Sequence, residues 1–299
     1  MSLGVDLMAH KTCSLNCVYC ECGRTTNLTT KRKKYIPLKS VLNELRQFLS
    51  SKPELDYITF SGSGEPTLHS GIGEVIRFLK DNYPQYKIAL LTNGTLLTDA
   101  RLRDDVKSVD LILPSLDAAS AEIFKKINRP AKRLKIDQII EGLAAFRQQF
   151  SGKMLLEIFI IPGLNDTADE LALLKAAIHR IKPDEVQLNT LDRPGTESWV
   201  ESAKLAALQK IAQQLDWKTE IIANFRKRHE IASYHTDTEE SILQMIKRRP
   251  CTVDDLSVAL GLHSAEINKY LEELLESNRI QAEKMERGVF FKLSRHEPN

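Results

Sequence analysis

The sequence lacks two features that would mark a membrane or secreted protein. No apolar run approaches the roughly 20 residues that a membrane-spanning helix needs, so we expect no membrane association. The first residues, MSLGVDLMAHKTC, contain neither the basic region nor the long apolar region of a signal peptide. Cysteine is also scarce, and four of the 5 cysteines crowd together: Cys13, Cys17, Cys20 and Cys22. A disulfide framework would spread its cysteines along the chain, so this pattern predicts a reducing, cytoplasmic compartment and a metal or redox site.

Strand-like and helix-like patterns alternate through the first 235 or so residues. The predicted strands cover 2–7, 56–66, 87–94, 109–118, 154–166, 184–195 and 218–225. The predicted helices cover 37–51, 71–82, 98–106, 119–128, 136–150, 167–181 and 201–215. Such alternation favours parallel strands with right-handed crossovers, so we predict an α/β fold over residues 1–235, a partial (β/α)6 TIM-like barrel. In such folds the loops after the strands build the active site.

The pattern changes near residue 235. The following segments read as three short helices and a hairpin: 238–250, 252–262, 263–279 and 280–293. Thr252, three residues before Asp255, predicts a helix N-cap, and Gly261 suits the tight turn between two helices. This order predicts a winged helix-turn-helix domain over residues 236–299.

The third of these helices, 263–279, is the predicted recognition helix, and it is acidic. Its charged residues include four glutamates and two basic side chains: Glu266, Glu272, Glu273, Glu276, Lys269 and Arg279. Because an acidic helix repels phosphate, we expect no sequence-specific DNA binding by this domain. We expect it instead to dock a protein or present a substrate, the alternative being a helical cap without a partner.

The cysteine loop follows the first predicted strand and has the spacing C-x3-C-x2-C: Cys13, Cys17 and Cys20. A structural zinc site would need a fourth ligand, from Cys22, His10 or Cys251. A redox C-x-x-C pair would leave Cys13 unexplained, and plain buried cysteines would not cluster so tightly. An iron–sulfur cluster normally has four cysteine ligands, so a cluster with three would leave one iron open to another molecule.

The spacing, with Tyr19 directly before the last cysteine, resembles the signature of the radical S-adenosylmethionine (SAM) superfamily. The resemblance covers the whole first domain. It implies a [4Fe–4S] cluster on the three cysteines, with SAM chelated to the open iron. It further implies reductive cleavage of SAM to methionine and a 5′-deoxyadenosyl radical that takes a hydrogen atom from a substrate. An external one-electron donor of the flavodoxin or ferredoxin type is implied as well, because the chain shows no flavin motif.

The expected SAM-binding residues lie at the ends of successive predicted strands. They are Ser61, Gly62, Ser63, Gly64, Glu65, Asn93, Ser115, Asp117, Ile161 and Asn189. The stretch SGSGEPT at 61–67 is similar to the family's Gly-Gly-Glu-Pro motif, with serine in place of the first glycine. Its glycines would allow close backbone approach, and its glutamate would accept the α-ammonium group of SAM. The alternatives are a simple βα turn here, a plain turn at Asn93 and a satisfied loop asparagine at Asn189.

Two later strands complete the expected SAM site. Side chains alternate along a strand, so Ser115 and Asp117 share one face, and the resemblance assigns that face to the ribose hydroxyls. The segment FIIPGLND is similar to the family's G-x-I-x-G-x-x-E pattern, which implies that Ile161 packs on adenine. Phe159 replaces the first glycine of that pattern, and Asp166 replaces its glutamate.

The stretch 2–26, followed by FSGSGEPTL, resembles the radical SAM subgroup related to the wyosine-base synthases, which rebuild a guanine in transfer RNA. Those synthases use three further cysteines, whereas this chain has only Cys22 and Cys251 left. Basic runs at 31–34 and 226–228 suit RNA or nucleotide substrates, or are solvated loops. We therefore expect an RNA- or nucleotide-modifying radical enzyme. The alternatives are a modifier of a protein or peptide and a non-enzymatic iron–sulfur sensor. Cys22 either contacts a substrate or second metal, or is an unligated neighbour.

Overall fold

The structure is a computed structural model, and it describes residues 2–9, 11–222, 238–262 and 264–294. Its strands are β1 (Ser2–Val5), β2 (Thr12–Cys13), β3 (Asn27–Leu28), β4 (Tyr57–Phe60), β5 (Lys87–Thr92), β6 (Leu111–Pro114), β7 (Lys153–Phe159), β8 (Glu185–Asn189), β9 (Thr219–Ile221), β10 (Ile280–Met285) and β11 (Gly288–Leu293). Its helices are α1 (Leu38–Leu49), α2 (Ile72–Asn82), α3 (Ala100–Val106), α4 (Ala121–Asn128), α5 (Ile136–Gln149), α6 (Ala168–Ile181), α7 (Leu205–Leu215), α8 (Thr238–Arg248), α9 (Val253–Leu260) and α10 (Ser264–Glu276).

A seven-stranded parallel sheet forms the main body, with the order β1-β4-β5-β6-β7-β8-β9. Every neighbouring pair is parallel, and helices connect the consecutive strands from β4 onward. The predicted α/β fold is therefore confirmed, and the sheet agrees with a partial TIM barrel. The parallel arrangement brings the carboxyl ends of all seven strands to one edge.

The observed strands end earlier than predicted. The segment 56–66 forms a strand only over Tyr57–Phe60, and 109–118 only over Leu111–Pro114. Beyond these points backbone groups find loop partners, as when the Ser63 amide donates to Asp6 over 3.0 Å. The last predicted strand, 218–225, covers Thr219–Ile221, and the predicted domain boundary near residue 235 lies outside the described residues.

The two faces of the sheet differ in what they contact. On β7, Met154, Leu156 and Ile158 are buried in the main core, which the helices complete. The side chains between them point to the other face. We call this the open face of the sheet and define it by five partly or largely exposed side chains: Leu91, Leu113, Glu157, Gln187 and Asn189. Strand register places them together, because Leu91 pairs with Leu113 and Glu157 pairs with Gln187.

The C-terminal segment has its own small core, formed by α8, α9, α10 and the antiparallel β10–β11 hairpin. The predicted N-cap is confirmed, since Thr252 and Asp255 form a reciprocal capping box at the start of α9. Gly261 ends that helix with a φ of 66°. Three helices and a hairpin are the order of a winged helix, and the assignment to that domain class stays a prediction. Within the described residues, no helix is long and apolar enough to cross a membrane.

A buried ion network joins the C-terminal segment to the loop after β8. Arg193 is 2% exposed, and its Nη2 donates to Asp255 Oδ1 over 3.1 Å. Arg287, in the turn of the β10–β11 hairpin, donates to Asp255 Oδ2 over 2.8 Å and lies 3.1 Å from Asp192 Oδ1. The C-terminal segment therefore packs at the carboxyl edge of the sheet, beside the loops that the sequence marks as functional.

Candidate metal centre and cofactor site

The cysteine loop runs from the end of β1 into β2 and across the carboxyl edge of the sheet. Asn93, after β5, donates its side-chain amide to Cys13 Sγ over 3.4 Å. Asn128, at the end of α4, donates to Cys17 Sγ over 3.4 Å. Amide donors of this kind stabilise thiolate ligands and tune the clusters that they hold.

The third thiol is next to a buried cation. The Lys11 side chain is 3% exposed and donates to Cys20 Sγ over 3.2 Å. A hydrogen bond from the Cys22 thiol and the charge of Lys11 lower the pKa of Cys20, although burial acts in the opposite direction. Cys22 is therefore a neighbour of the third predicted ligand thiol, and the contact of Lys11 with that thiol was not apparent from the sequence.

The three loop thiols are the donors that an open iron–sulfur cluster would use, and the Cys22 thiol lies beside one of them, Cys20. Among the described residues, no three or more histidine, cysteine, aspartate or glutamate side chains are arranged so that they could hold a metal ion. The three thiols of Cys13, Cys17 and Cys20 nevertheless lie within electrostatic reach of one another, and each accepts a hydrogen bond from nitrogen. His10, a candidate fourth zinc ligand, lies outside the described residues. Cys251 is in the C-terminal core, where its thiol donates to the Arg249 carbonyl over 3.3 Å.

The glycine turn at 61–67 is packed tightly against the cysteine loop. A Cβ atom on Gly62 would lie 2.1 Å from Asp6 Cγ, and one on Gly64 would lie 2.2 Å from the Thr12 carbonyl oxygen. Asp6 Oδ2 also accepts from the Ser63 amide over 3.0 Å and from the Ser63 hydroxyl over 3.2 Å. The glycines are thus required by contacts within the chain, in addition to any ligand. Asp6 is a positioning residue that the sequence did not reveal.

Glu65 connects the glycine turn to the end of β5. Its Oε1 accepts from the Thr67 amide over 3.1 Å and from the Thr92 hydroxyl over 2.6 Å. Its Oε2 accepts from the Asn93 amide over 2.7 Å. Burial raises the pKa of Glu65, and these hydrogen bonds oppose the rise. Because both carboxylate oxygens accept hydrogen bonds from within the chain, Glu65 holds the turn in place; the expected contact with the ammonium group of SAM stays a prediction.

Asp117 is likewise engaged within the chain. Its Oδ2 accepts from the Tyr19 hydroxyl over 2.6 Å and from the Asn128 side chain over 2.6 Å, and its Oδ1 accepts from the Phe159 amide over 3.0 Å. The Tyr19 ring stacks on Phe159 with 3.9 Å between centroids and 9° between planes. Asp117 therefore fixes the aromatic residue that precedes the third cysteine. Ser115, two residues earlier, is only partly buried, and the role of both in ribose binding stays a prediction.

Ile161 and Asn189 have different surroundings: Ile161 is in an apolar cluster, and Asn189 is on the open face. Ile161 is 2% exposed and packs with Val18 and Leu191 in a cluster separate from the main core. Asn189 donates to Glu157 Oε1 over 3.4 Å on the open face. Glu157 was missed at the sequence level, because a glutamate inside an apolar strand pattern gives no sign of the face it occupies. Asp166, the expected counterpart of the family's glutamate, accepts from the Gly163 amide over 2.7 Å, a hydrogen bond within the loop after β7.

The basic run at 31–34 mostly contacts other parts of the chain. Arg32 pairs with Asp105 at 3.1 Å, and Lys34 pairs with Glu74 at 3.3 Å. The Lys33 ammonium lies 4.8 Å from the centre of the Tyr35 ring. These partners reduce the charge that the run offers to a phosphate-bearing substrate. The second basic run, 226–228, lies outside the described residues.

Comparison with known sequences supports the family resemblance of the cysteine loop. Residues 9–174 match the family model for the Radical SAM superfamily. A UPF0026 protein of Synechocystis, slr1464, is 38% identical over 194 residues, which are 64% of this chain and 71% of that protein. A Brachyspira hyodysenteriae protein named GTPase Obg is 33% identical over 284 residues. This alignment covers 94% of the chain but only 42% of that relative. A GTP 3′,8-cyclase of Limosilactobacillus fermentum is 28% identical over 53% of the chain and 45% of its own length.

Solved structures resemble the chain in fold. A radical SAM methyltransferase from Sphaerobacter thermophilus superposes with a TM-score of 0.56 at 18% identity, over 75% of this chain and 67% of the other. TYW1, in a structure with a lysine-pyruvate adduct bound, superposes with a TM-score of 0.53 at 17% identity, over 71% and 72% of the two chains. The superfamily resemblance predicted from the cysteine spacing is confirmed, and a wyosine synthase is among the structural neighbours.

Proposed function

Because the chain belongs to the radical SAM superfamily, whose members are enzymes that bind a [4Fe–4S] cluster and SAM, we propose a specific reaction for it. With a cluster held by Cys13, Cys17 and Cys20 and with SAM bound, one electron from an external donor would cleave the C5′–S bond of SAM and supply methionine and a 5′-deoxyadenosyl radical. That radical takes a hydrogen atom from a substrate and becomes 5′-deoxyadenosine. Radical SAM enzymes need an electron donor, and we propose one of the flavodoxin or ferredoxin type.

The arrangement around the three thiols carries this proposal. Cys13, Cys17 and Cys20 would hold three irons of the cluster, and each thiol already has a nitrogen donor from a different part of the chain. A structural zinc site would need a fourth protein ligand such as Cys22, beside Cys20, whereas the match to the Radical SAM superfamily favours a cluster on three cysteines. The open fourth position is where SAM would be chelated by its amino and carboxylate groups.

The surrounding residues position the site rather than transfer protons. Asp6 holds the glycine turn, Glu65 ties that turn to the end of β5, and Asp117 holds Tyr19 against Phe159. All three carboxylates accept hydrogen bonds from neighbouring loops at the carboxyl edge of the sheet. A preorganised site of this kind fixes the distance between the reacting carbon and the substrate and excludes water.

We propose RNA or a nucleotide as the substrate class. The supporting observations are the resemblance of the cysteine loop and glycine turn to the wyosine-synthase subgroup and the similarity to a GTP 3′,8-cyclase. The fold likeness to TYW1 agrees with this choice. Two of the four basic side chains at 31–34 are paired with acids, so recognition would depend on the base as well as on phosphate charge.

One observation favours a second candidate, the modification of a protein or peptide. On α10, the side chains of Glu272, Glu273 and Glu276 are exposed, and this acidic surface belongs to a segment that packs at the edge of the site. An acidic surface repels RNA and suits a basic protein partner. This alternative predicts a complex with a protein that is weakened by salt and does not involve RNA.

Anaerobic reconstitution tests the proposed reaction. The protein is loaded with iron and sulfide, reduced with dithionite and given SAM, and 5′-deoxyadenosine is expected. Cys17→Ala should abolish the product, whereas Cys251→Ala is the matched control, because Cys251 lies in the C-terminal core. A colourless protein that holds zinc would contradict the proposal. Addition of bulk transfer RNA, or of a cell protein fraction treated with ribonuclease, should then raise product formation and identify which substrate class couples to the radical.

A further inference from the structure

Two polar side chains meet on the open face near the carboxyl ends of β7 and β8. The Asn189 side-chain amide donates to Glu157 Oε1 over 3.4 Å, and Asn189 Oδ1 accepts from the Thr190 amide over 2.9 Å. Glu157 pairs in register with Gln187, and Asn189 pairs with Phe159. Strand alternation therefore places the carboxylate and both carboxamides on the same face. The single side-chain oxygen of Asn189 is used by the Thr190 amide, so the acceptors that the pair offers to a ligand are those of the Glu157 carboxylate.

The Glu157 carboxylate is short of hydrogen-bond donors. Within the described part of the chain it forms no ion pair, and the long bond from Asn189 is its one side-chain hydrogen bond. Burial, and then the charge of Asp117, raise the pKa of Glu157 to about 7. By contrast, Glu65 and Asp117 each accept at least three hydrogen bonds. A partly buried carboxylate without donors is costly, and a ligand that supplies them would relieve that cost.

The surroundings show what kind of ligand would fit. Leu91 is 38% exposed on the open face, and Leu113 beside it is partly exposed. Tyr19 is within electrostatic reach of Glu157, since the charge of that glutamate contributes to raising the tyrosine pKa after burial and Asp117. Directly beside Glu157, the neighbouring strands place Ser115 on one side and Gln187 on the other, and the two leucines lie further back on the same face. A carboxylate that adjoins an apolar surface suits a flat ligand with donors along one edge.

We propose that Glu157, oriented by Asn189, binds the substrate through a planar group that carries two adjacent N–H donors. A carboxylate accepts two parallel N–H bonds from such a group, and the geometry adds specificity to affinity. This inference rests on the proposed function and names the substrate class of the same site. Because the proposed substrate class is RNA or a nucleotide, the group is the N1–H and amino edge of guanine; the guanidinium group of an arginine in a protein is the competing outcome that the test separates.

Binding of small probes separates the two groups. The reconstituted protein with SAM, left unreduced so that no turnover occurs, is titrated calorimetrically with guanosine 5′-monophosphate and with N-acetylarginine amide. Each probe has a control. Inosine 5′-monophosphate lacks the amino group of guanine, and N-acetylcitrulline amide lacks the positive charge of the guanidinium group. Glu157→Gln keeps the shape of the side chain but replaces one acceptor by a donor. The matched control is Glu185→Gln, because Glu185 is on the adjacent strand and pairs instead with Lys218 at 3.2 Å.

We expect guanosine 5′-monophosphate to bind, to bind about tenfold more weakly to Glu157→Gln, and to keep its affinity for Glu185→Gln. Binding of the arginine probe alone would overturn the assignment to guanine and point to a protein substrate. Equal binding by wild type and Glu157→Gln, or no binding of either probe, would overturn the inference. If Glu157→Gln fails to fold, Glu157→Asp, which retracts the carboxylate, takes its place. Since the titrations need no SAM cleavage, a wild type that makes 5′-deoxyadenosine but binds neither probe refutes only this inference.

Discussion

The ammonium group of Lys11 lies 3.2 Å from the Sγ of Cys20, and the lysine side chain is almost completely buried. Lys11 adopts a left-handed backbone conformation, with φ of 52°, and its carbonyl accepts from the Thr26 and Asn27 amides over 3.1 and 3.2 Å. These two bonds fix the backbone at the lysine carbonyl. A positive charge is therefore held at the thiol of Cys20, a predicted cluster ligand, in a setting where solvent screens it little.

We expect the charge of Lys11 to set the reduction potential of the cluster. Reduction adds negative charge, which a nearby cation stabilises, so Lys11→Met should make the potential more negative. Lys11→Arg keeps the charge and should give a much smaller shift. The measurement is an electron paramagnetic resonance titration of the reconstituted proteins at a series of poised potentials. The same potential in wild type and Lys11→Met would show that the contact with Cys20 is without electrostatic consequence.

A methyl group on the glycine turn should displace the cysteine loop. The Cβ of Gly64→Ala would lie 2.2 Å from the Thr12 carbonyl oxygen, which already accepts the Glu65 amide over 3.1 Å and cannot retreat freely. Overpacking of this kind costs about 1–3 kcal/mol, so we expect a lower Tm and fewer irons bound per chain.

Gly163→Ala is the control for backbone strain alone. Gly163 has φ of 78°, and a Cβ there would meet nothing within 4 Å. The substitution should cost about 1 kcal/mol through its conformation and leave iron content unchanged. If both alanine variants lose iron equally, the contact between Gly64 and the cysteine loop is not what holds the site.

The element order and the place of the site could be predicted from the sequence, because both depend on local patterns. Apolar periodicity gave the alternating strands and helices, and the spacing of Cys13, Cys17 and Cys20 marked the loop that family comparison confirms. The glycine turn was located by the same kind of local signal. These features need no knowledge of which residues meet across the fold.

The pairing of side chains from distant segments could not be predicted. Asp6 and Ser63 are far apart in sequence, as are Asn128 and Cys17, and only the folded sheet edge brings them together. The strand containing Asp117 was expected to continue, but it ends at Pro114, and the aspartate enters a buried hydrogen-bond network. Likewise, the acidic partners of the basic run at 31–34 come from two distant helices and could not be predicted from the run itself.

Glu65→Gln should weaken the link between the glycine turn and β5. Oε1 and Oε2 of Glu65 accept bonds only, and the amide nitrogen of glutamine would oppose either the Asn93 amide or the threonine donors. Leaving a buried donor unpaired costs about 1–3 kcal/mol, so the unfolding free energy should fall by about that amount. Chemical denaturation of the two proteins gives the difference. Glu122→Gln, at an exposed pair with Lys126, should change it by much less.

The packing of the C-terminal segment should depend on pH through Asp255. Burial alone would raise the pKa of Asp255, but the Thr252 amide and the guanidinium groups of Arg193 and Arg287 together lower it. A carboxyl whose pKa is lower in the folded than in the unfolded protein stabilises the fold at neutral pH. That contribution is lost as the pH falls below the ordinary aspartate value of about 4 towards the folded pKa. We therefore expect the Tm of the iron-free protein to decline over this range, and Asp255→Asn to start lower and decline less. Asp254→Asn, at the exposed neighbouring position, should follow the wild type; if Asp255→Asn follows it as well, the network does not couple the two segments.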